Sequence, residues 1–108
     1  MSFSKAHLYD KRDQQTSLFG KAFGHPARLK ILRKLSRSGP CHVKELSKEH
    51  PLSQPTMSEH MEELREVAFV SFQEVFPYTI YTLERKEIEK ARDYFDELFK
   101  SILDTMPL

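Results

Sequence analysis

The chain has 108 residues, of which 39% are hydrophobic and 31% charged, and its formal net charge is +1. A chain of this length builds one domain with only a modest core, so association with a second copy is an expected supplement. The sequence contains no run of about 18 apolar residues, which excludes a membrane-spanning helix.

Residues 1–14 are polar with a few scattered apolar side chains, and we predict an N-terminal arm or a helix extension there. Because this start lacks the apolar centre of a signal peptide, we expect a cytoplasmic protein. From about Gln15, apolar residues recur at helical spacing until Gly24. Glycine accepts the left-handed conformation that closes a helix, so the first helix should end at Gly24. Its apolar positions are Leu18, Phe19, Ala22 and Phe23.

A second helix is predicted from Pro26, since proline is favoured in a first helical turn, and His25 is its candidate cap. It should end near Ser38-Gly39-Pro40. A short third helix is then predicted from His42 or Val43 to His50. Only a tight turn separates this helix from the next, and two helices joined in this way form a helix-turn-helix unit.

The fourth helix follows Ser53, whose hydroxyl is suited to capping a helix. Met57, Met61, Leu64 and Ala68 come at helical spacing and should form one buried face. The other side of the first two turns carries short or hydrogen-bonding side chains, which a recognition helix presents to base edges in a major groove. We therefore predict a helix that reads double-stranded DNA. The predicted base-reading residues are Ser53, Gln54, Thr56, Ser58, Glu59 and His60.

A β-hairpin is predicted after the reading helix. Phe69–Val75 alternates weakly, Tyr78–Leu83 is rich in aromatic and β-branched residues, and Phe76-Pro77 forms the turn between them. The pattern is typical of the wing of a winged helix-turn-helix domain.

A final helix of about twenty residues has an apolar stripe that is broader than one small core needs. We assign residues 15–85 to a winged helix-turn-helix core and residues 86–108 to a C-terminal dimerisation helix. The predicted fold is mainly α with a small β-hairpin, in the order α-α-α-α-β-β-α.

The surplus apolar surface favours a homodimer in which the first and last helices pack across a two-fold axis. Such a dimer would place two reading helices about one DNA turn apart. In the alternative, the last helix covers only the core of its own subunit. The predicted interface residues are Leu18, Phe19, Phe23, Tyr94, Phe95, Leu98, Phe99 and Ile102.

The charge of the chain is divided unevenly. Residues 1–37 contain nine Lys or Arg against two Asp and sum to +7, whereas the remainder sums to −6. A basic surface attracts phosphate, although a solvated helix surface is an equally good reading of this excess. The predicted phosphate contacts are Arg28, Lys30, Lys34 and Lys44.

Two segments, GHPARLKILRKL and LSQPTMSEHMEELREVAFV, resemble the signatures of the arsenic-repressor-like (ArsR-like) winged-helix transcription regulators. The resemblance covers about Leu18 to Leu83 and is most specific in Leu-Ser-Gln-Pro-Thr-x-Ser-x-His. It implies a dimeric bacterial repressor that binds a palindromic operator. Arg28 matches the arginine that this family carries early in its second helix. The positions that the resemblance places at the groove are Ser53, Gln54, Thr56, Ser58 and His60.

The sequence departs from the metal-sensing members of that family. Those members carry a Cys-x-Cys pair in the third helix, where this chain has His42, Val43 and Lys44. Cys41 with His42 supplies two ligands where a closed site needs three or four, and no histidine follows His60. We therefore predict no metal and no cofactor. As the only cysteine, Cys41 cannot form an intrachain disulfide, and we expect it to be packed or partly exposed.

The predicted wing is also unusual, because no Lys or Arg lies between Arg65 and Arg85 and the tip reads Val-Phe-Pro-Tyr. The reading helix is acidic, since residues 55–69 sum to −3. These features motivate an alternative, a winged-helix protein-interaction module with weak or no DNA binding. An enzyme is not expected, because the chain has no glycine-rich phosphate loop, HExxH motif or nucleophile elbow. The effector is not identified by any motif.

Overall fold

The computed structural model describes residues 3–49 and 51–108, so the predicted end of the third helix at His50 lies outside the described residues. A short 3-10 helix, Phe3–Leu8, precedes the main elements. These are α1 (Lys11–Phe23), α2 (Pro26–Ser38), β1 (Cys41–His42), α3 (Val43–Lys48), α4 (Gln54–Glu66), β2 (Val70–Val75), β3 (Tyr78–Leu83) and α5 (Arg85–Thr105). None of the described helices is long and apolar enough to cross a bilayer.

The predicted fold class is confirmed, with one strand added. β2 and β3 form the predicted antiparallel hairpin, in register from Val70↔Leu83 to Val75↔Tyr78. The two-residue strand β1 pairs with the other edge of β3, so the sheet has three strands in the order β1-β3-β2. Because β1 links the chain between α2 and α3 to the wing, the sheet and the helices form one body.

The helix α1 begins earlier than predicted, since the Asp10 side chain accepts a hydrogen bond from the Arg12 backbone N–H at 2.7 Å and caps it. Its end at Gly24 is as predicted, but the reason is different. Gly24 has an ordinary φ of −78°, and a Cβ there would lie 3.2 Å from the carbonyl oxygens of Gly20 and Lys21. Glycine therefore avoids a tight contact at this position and is not needed there for a left-handed turn.

The predicted cap of α2 is confirmed, because the His25 Nδ1 accepts a hydrogen bond from the Ala27 backbone N–H at 3.0 Å. The helix ends at Ser38, and Gly39 follows with a φ of +74°. A side chain at that φ would be strained, so glycine suits the turn into β1.

The helix α4 is capped by Ser53 as predicted, since its hydroxyl accepts a hydrogen bond from the Thr56 backbone N–H at 3.3 Å. Met57, Met61 and Leu64 are buried, but the assignment of Ala68 to this face was wrong. Ala68 is exposed and has a φ of +61°, so it lies in the turn that ends the helix. The Phe69 N–H donates to the Leu64 carbonyl at 3.0 Å across that turn, which directs the chain into the wing.

The core lies between α1, α2, α4 and the base of the wing. Phe69 is fully buried and stacks on Phe19 with ring centroids 5.5 Å apart, and Tyr94 of α5 meets Phe19 edge to face at 5.4 Å. Phe19 is only 1% exposed. The prediction that Phe19 lies in a dimer interface is therefore corrected, because its own subunit already covers it.

Candidate nucleic-acid interface

The helix-turn-helix unit consists of α3, the turn after it and α4. Met57, Met61 and Leu64 anchor the inner side of α4 in the core, together with Leu46 of α3. Burial of these side chains fixes which side of α4 is left for solvent, since residues three and four apart share a helical face.

The exposed side of the first two turns of α4 carries Gln54, Ser58 and Glu59. None of these three side chains has a hydrogen bond or an ion pair within the described part of the chain. A Gln amide has two donors and an acceptor, and a Ser hydroxyl does both, so their hydrogen-bonding groups are available to a ligand. They are the predicted base-reading residues that the structure leaves uncommitted.

Ser53 and Thr56 hold each other at the start of the helix. The Ser53 hydroxyl donates to the Thr56 hydroxyl at 2.9 Å and accepts from the Thr56 N–H. Both residues stand at the same end as Gln54 and Ser58, but part of their hydrogen-bonding capacity is used in the cap.

His60 was predicted to read bases, and its observed position corrects that prediction. The side chain is only 7% exposed, and its Nδ1 lies 2.9 Å from the Arg28 Nη1. Its ring also packs against the His25 ring, with centroids 4.4 Å apart. A buried imidazole held by a guanidinium does not reach a groove, so His60 belongs to the support of α4.

Arg28 was predicted to contact phosphate, and its observed contacts correct that prediction as well. Its Nε donates to the Ala22 carbonyl at 2.8 Å, and its Nη2 donates to the Lys21 carbonyl at 2.9 Å. These carbonyls belong to the last turn of α1, where a cation is favoured. With His60 as a third partner, Arg28 joins α1, α2 and α4 and is committed within the protein.

Lys30 and Lys34 lie on α2 beside the end of α3. The Lys30 ammonium donates to the Glu49 carbonyl, and the Lys34 ammonium is 4.0 Å from the Glu49 carboxylate. Both interactions leave donors of the ammonium groups unused, since each ammonium has three.

Lys44 is exposed on α3 and has no ion pair within the residues that the structure describes. Lys48, at the end of α3, is likewise exposed and unpaired there, and sequence reasoning missed it. Its signal was its place just before the turn into α4, where the first helix of the unit meets the backbone of bound DNA.

The part of α4 after Ser58 makes contacts with the rest of the protein. The Glu63 carboxylate lies 3.6 Å from the Lys21 ammonium. Arg65 donates to the Glu62 carboxylate at 3.1 Å, and its guanidinium sits 4.1 Å from the centre of the Phe72 ring on β2. These contacts tie α4 to α1 and to the wing.

Cys41 lies in β1 and is buried at 4% exposure, in agreement with the prediction of packing. Burial raises the pKa of its thiol above the ordinary value, although a hydrogen bond with Ser38 opposes this. A thiol kept protonated is a poor nucleophile and a poor metal ligand. No group of three or more His, Cys, Asp or Glu side chains with the geometry of a metal site occurs among the described residues.

Apart from the buried Phe19, the predicted dimer residues divide into two sets. Phe23, Tyr94, Phe95 and Leu98 are half-buried, and the first three pack against the core of the same chain. Leu18, Phe99 and Ile102 are exposed, with Phe99 at 56%. The helix α5 therefore covers its own core with one part of its stripe and leaves another part uncovered.

Comparisons with known proteins agree with this geometry. Residues 25–71 match the family model described as bacterial regulatory protein, arsR family. An uncharacterized HTH-type transcriptional regulator of Methanocaldococcus jannaschii is 29% identical over 89 residues, which cover 82% of this chain and 99% of that protein.

Solved structures share the whole fold. The crystal structure of an ArsR family transcriptional regulator has a TM-score of 0.74 at 20% identity, covering 88% of this chain and 96% of that one. The transcriptional repressor BigR from Xylella fastidiosa has a TM-score of 0.63 at 26% identity, covering 89% of this chain and 95% of BigR.

The fold, the helix-turn-helix and the hairpin beside it define a winged helix-turn-helix DNA-binding protein. The matched segment runs from the cap of α2 to the start of the wing and contains both helices of the unit. Through that segment the chain is similar to the ArsR-like family of transcriptional regulators. The resemblance inferred from its two signature segments is thereby confirmed.

Proposed function

We propose that this chain is a homodimeric, sequence-specific regulator that represses transcription by binding a palindromic operator. One observation supports the proposal most strongly. The N-terminal turns of α4 expose uncommitted hydrogen-bonding side chains, Gln54 and Ser58, while the rest of the helix is fixed to the protein. This is the arrangement that direct reading of a major groove needs.

Each proposed contact has a role. Gln54, Ser58 and Glu59 contact base edges, with Ser53 and Thr56 beside them at the cap. Lys30, Lys34 and Lys44 contact phosphate, and Lys48 joins them because it is exposed at the same end of α3. The proposal assigns the chain no catalytic role and no cofactor.

The homodimer is supported by the uncovered part of the α1 and α5 surface. The proposed interface is formed by Leu18, Leu98, Phe99 and Ile102. The half-buried side chains of Phe23, Tyr94 and Phe95 lie next to it and also pack on the core of their own chain. A symmetric dimer buries the same patch twice and presents two reading helices, which match a palindrome. The assignment as a repressor is supported by the similarity to BigR, which is a transcriptional repressor.

The test of DNA reading is a titration of the protein against its own upstream DNA and a scrambled duplex at two salt concentrations. We expect a sequence-dependent complex in which Gln54→Ala or Ser58→Ala loses about tenfold in discrimination, since each base contact is worth roughly 1–3 kcal/mol. Lys44→Ala should weaken both duplexes alike and reduce the salt dependence.

The matched control is Ser36→Ala, which removes another exposed helical serine without a side-chain hydrogen bond in the described structure. It should leave discrimination unchanged. A wild-type protein with no sequence preference at low salt would overturn the proposal. That result would favour the alternative, a winged-helix module that binds another protein.

The test of the homodimer is sedimentation equilibrium at micromolar concentration. We expect a dimer for the wild type and a monomer for Phe99→Glu, because a charge placed at an apolar interface must be desolvated. Val75→Glu, at a similarly exposed apolar residue of the wing, should remain dimeric. A monomeric wild type would remove the dimer from the proposal.

A further inference from the structure

Two histidines and an arginine meet where α1, α2 and α4 come together. We define the corner cluster as His25, Arg28 and His60. The His60 Nδ1 lies 2.9 Å from the Arg28 Nη1, and the His25 ring packs on the His60 ring with centroids 4.4 Å apart. His60 is only 7% exposed, so its ring has little access to water. The corner cluster therefore joins the proposed reading helix to the helices that support it.

The chemistry of arginine assigns the protonation state of His60 in this contact. A guanidinium has five N–H donors and no acceptor, and it is not deprotonated in proteins. Since Arg28 can only donate, the His60 Nδ1 must accept through its lone pair. The imidazole in the contact is therefore neutral and carries its hydrogen on Nε2.

His25 uses its ring in the same way. Its Nδ1 accepts a hydrogen bond from the Ala27 backbone N–H at 3.0 Å and so caps α2. This contact also requires a ring without a proton on Nδ1, because the backbone N–H is the donor. Both histidines of the corner cluster thus bond through the nitrogen that gains a proton in acid.

The positive groups around His60 oppose its protonation. Arg28 of α2 is in direct contact with the ring, and His25 adds a second positive charge when it is itself protonated. The Lys21 ammonium of α1 is paired with the Glu63 carboxylate at 3.6 Å, so its charge is largely balanced. An imidazolium at position 60 is therefore repelled mainly by Arg28, the group that the neutral ring binds.

The negative groups around His60 all belong to its own helix. The carboxylates that line a cleft together with Arg28 and His60 are those of Glu59, Glu62 and Glu63. Glu62 is paired with Arg65, and Glu63 with Lys21. Glu59 has no ion pair within the part of the chain that the structure describes. A protonated His60 is thus repelled by α2 and attracted to carboxylates of α4.

We propose that the corner cluster is a pH-sensitive contact that controls the position of the reading helix. Neutral His60 accepts from Arg28 and holds α4 against α2, whereas protonation converts the acceptor into a donor and sets two cations against each other. The contact is therefore present when the ring is neutral and is lost as the pH falls through the histidine range, from about pH 8 to about pH 5. Without it, α4 loses one link to α2, and the base contacts made by α4 weaken. This last step rests on the proposed function, because it needs DNA bound at α4.

The direction of the effect on DNA binding distinguishes this mechanism from general electrostatics. Acid makes the whole protein more positive, which strengthens binding to any duplex through attraction to phosphate. The corner cluster acts in the opposite direction, and it acts on base contacts only. The quantity to measure is therefore the discrimination, which is the ratio of the affinities for a selected duplex and a scrambled one.

The test variant is His60→Asn. The Asn carbonyl oxygen replaces the Nδ1 acceptor and does not titrate, so a bond from Arg28 is kept at every pH. The matched control is His7→Asn, which removes an exposed histidine outside the corner cluster. Both are made in the full chain.

The first experiment measures discrimination by fluorescence anisotropy at constant ionic strength, with the duplex that the wild type selects from a randomised pool. Between about pH 7.5 and about pH 5.5, we expect discrimination by the wild type and by His7→Asn to fall about tenfold, roughly the loss of one base contact. His60→Asn should keep most of its discrimination. An unchanged ratio in the wild type, or an equal fall in His60→Asn, would overturn the proposal.

The second experiment tests the corner cluster without DNA. Nitrogen NMR of labelled imidazole rings distinguishes a neutral Nε2–H ring from an imidazolium, and we expect the neutral form for His60 of the wild type at about pH 7.5. This result does not depend on the folding of any variant. The midpoint of urea unfolding should also fall with acid by more in the wild type than in His60→Asn. A His60 imidazolium at about pH 7.5, or equal falls of the midpoint, would contradict the proposal.

Failure of the proposed function and failure of the corner cluster have different signatures. If the wild type selects no sequence at any pH, the proposed function fails, and the measurements without DNA still test whether the contact responds to pH. If the wild type selects a sequence but discriminates equally well in acid, the proposed function stands and control by pH is wrong.

Discussion

The two ends of α4 differ in what their side chains are bound to. At the N-terminal end, Gln54 and Ser58 are exposed and have no partner within the described residues. From His60 onward, several side chains are engaged with other elements, His60 with Arg28, Glu63 with Lys21 and Arg65 with Phe72. The helix is thus free to make new hydrogen bonds at one end and is held by existing ones at the other.

This difference gives the proposed reading surface a rigid support within a small domain. A side chain that contacts bases must be available, but the helix that carries it must not rotate or shift. The buried methionines resist translation of α4, while the Arg28–His60 contact fixes it against the corner of α1 and α2. The proposed reading role and the observed support therefore belong to neighbouring turns of α4.

The largest expected effect comes from breaking the support. Arg28→Ala removes the guanidinium by which α2 bonds to Ala22 and Lys21 of α1 and to His60 of α4. We expect a loss of about 2–4 kcal/mol in the free energy of unfolding, because hydrogen bonds that involve a charged group are worth roughly 1.5–3 kcal/mol each. Urea unfolding monitored by circular dichroism measures this change in the free energy of unfolding.

The matched control for this prediction is Arg33→Ala on the same helix. Arg33 is exposed and has no partner within the described structure, so its loss should change the free energy by less than about 0.5 kcal/mol. If Arg28→Ala costs as little as Arg33→Ala, the guanidinium does not hold α4, and Arg28 returns to the candidates for phosphate contact.

Local patterns were sufficient to predict most of the fold. The cap at His25, the turn at Gly39 and both strands of the hairpin follow from signals within a few residues of one another. The strand β1 was missed because two residues carry no periodicity, and its pairing with Tyr81 depends on a contact some forty residues away. The wrong placement of Ala68 has a similar cause. Nothing in its side chain indicates the left-handed backbone that ends α4.

The site was only partly predictable for a related reason. Helical spacing gives the face of α4 on which a residue lies, but not whether another element covers that face. His60 and Ser58 are both polar, yet Arg28 and His25 cover His60 and leave Ser58 open. Phe19 presents the same problem in α1, since only the packing of Phe69 and Tyr94 shows that its own subunit buries it.

The smallest expected effect comes from removing one negative charge near either end of α4 and comparing the two results. Glu59 stands near Ser58 on the proposed reading side, whereas Glu66 is in the last turn of α4, and both are exposed. We expect Glu59→Gln to bind a scrambled duplex about two- to threefold more tightly at low salt, because a negative charge near phosphate is removed. Glu66→Gln should change the affinity less. The scrambled duplex is used so that base reading by Glu59 does not enter, and the measurement is fluorescence anisotropy at two salt concentrations.

The salt dependence determines the interpretation of that result. A Coulombic effect at an exposed site is screened within about 10 Å at 0.1 M salt, so the gain from Glu59→Gln should fall as salt is added. A gain that persists at high salt has a different cause from the removal of phosphate repulsion. If Glu66→Gln gives the larger gain, DNA approaches the C-terminal end of α4, and the assignment of Gln54 and Ser58 as reading residues is wrong.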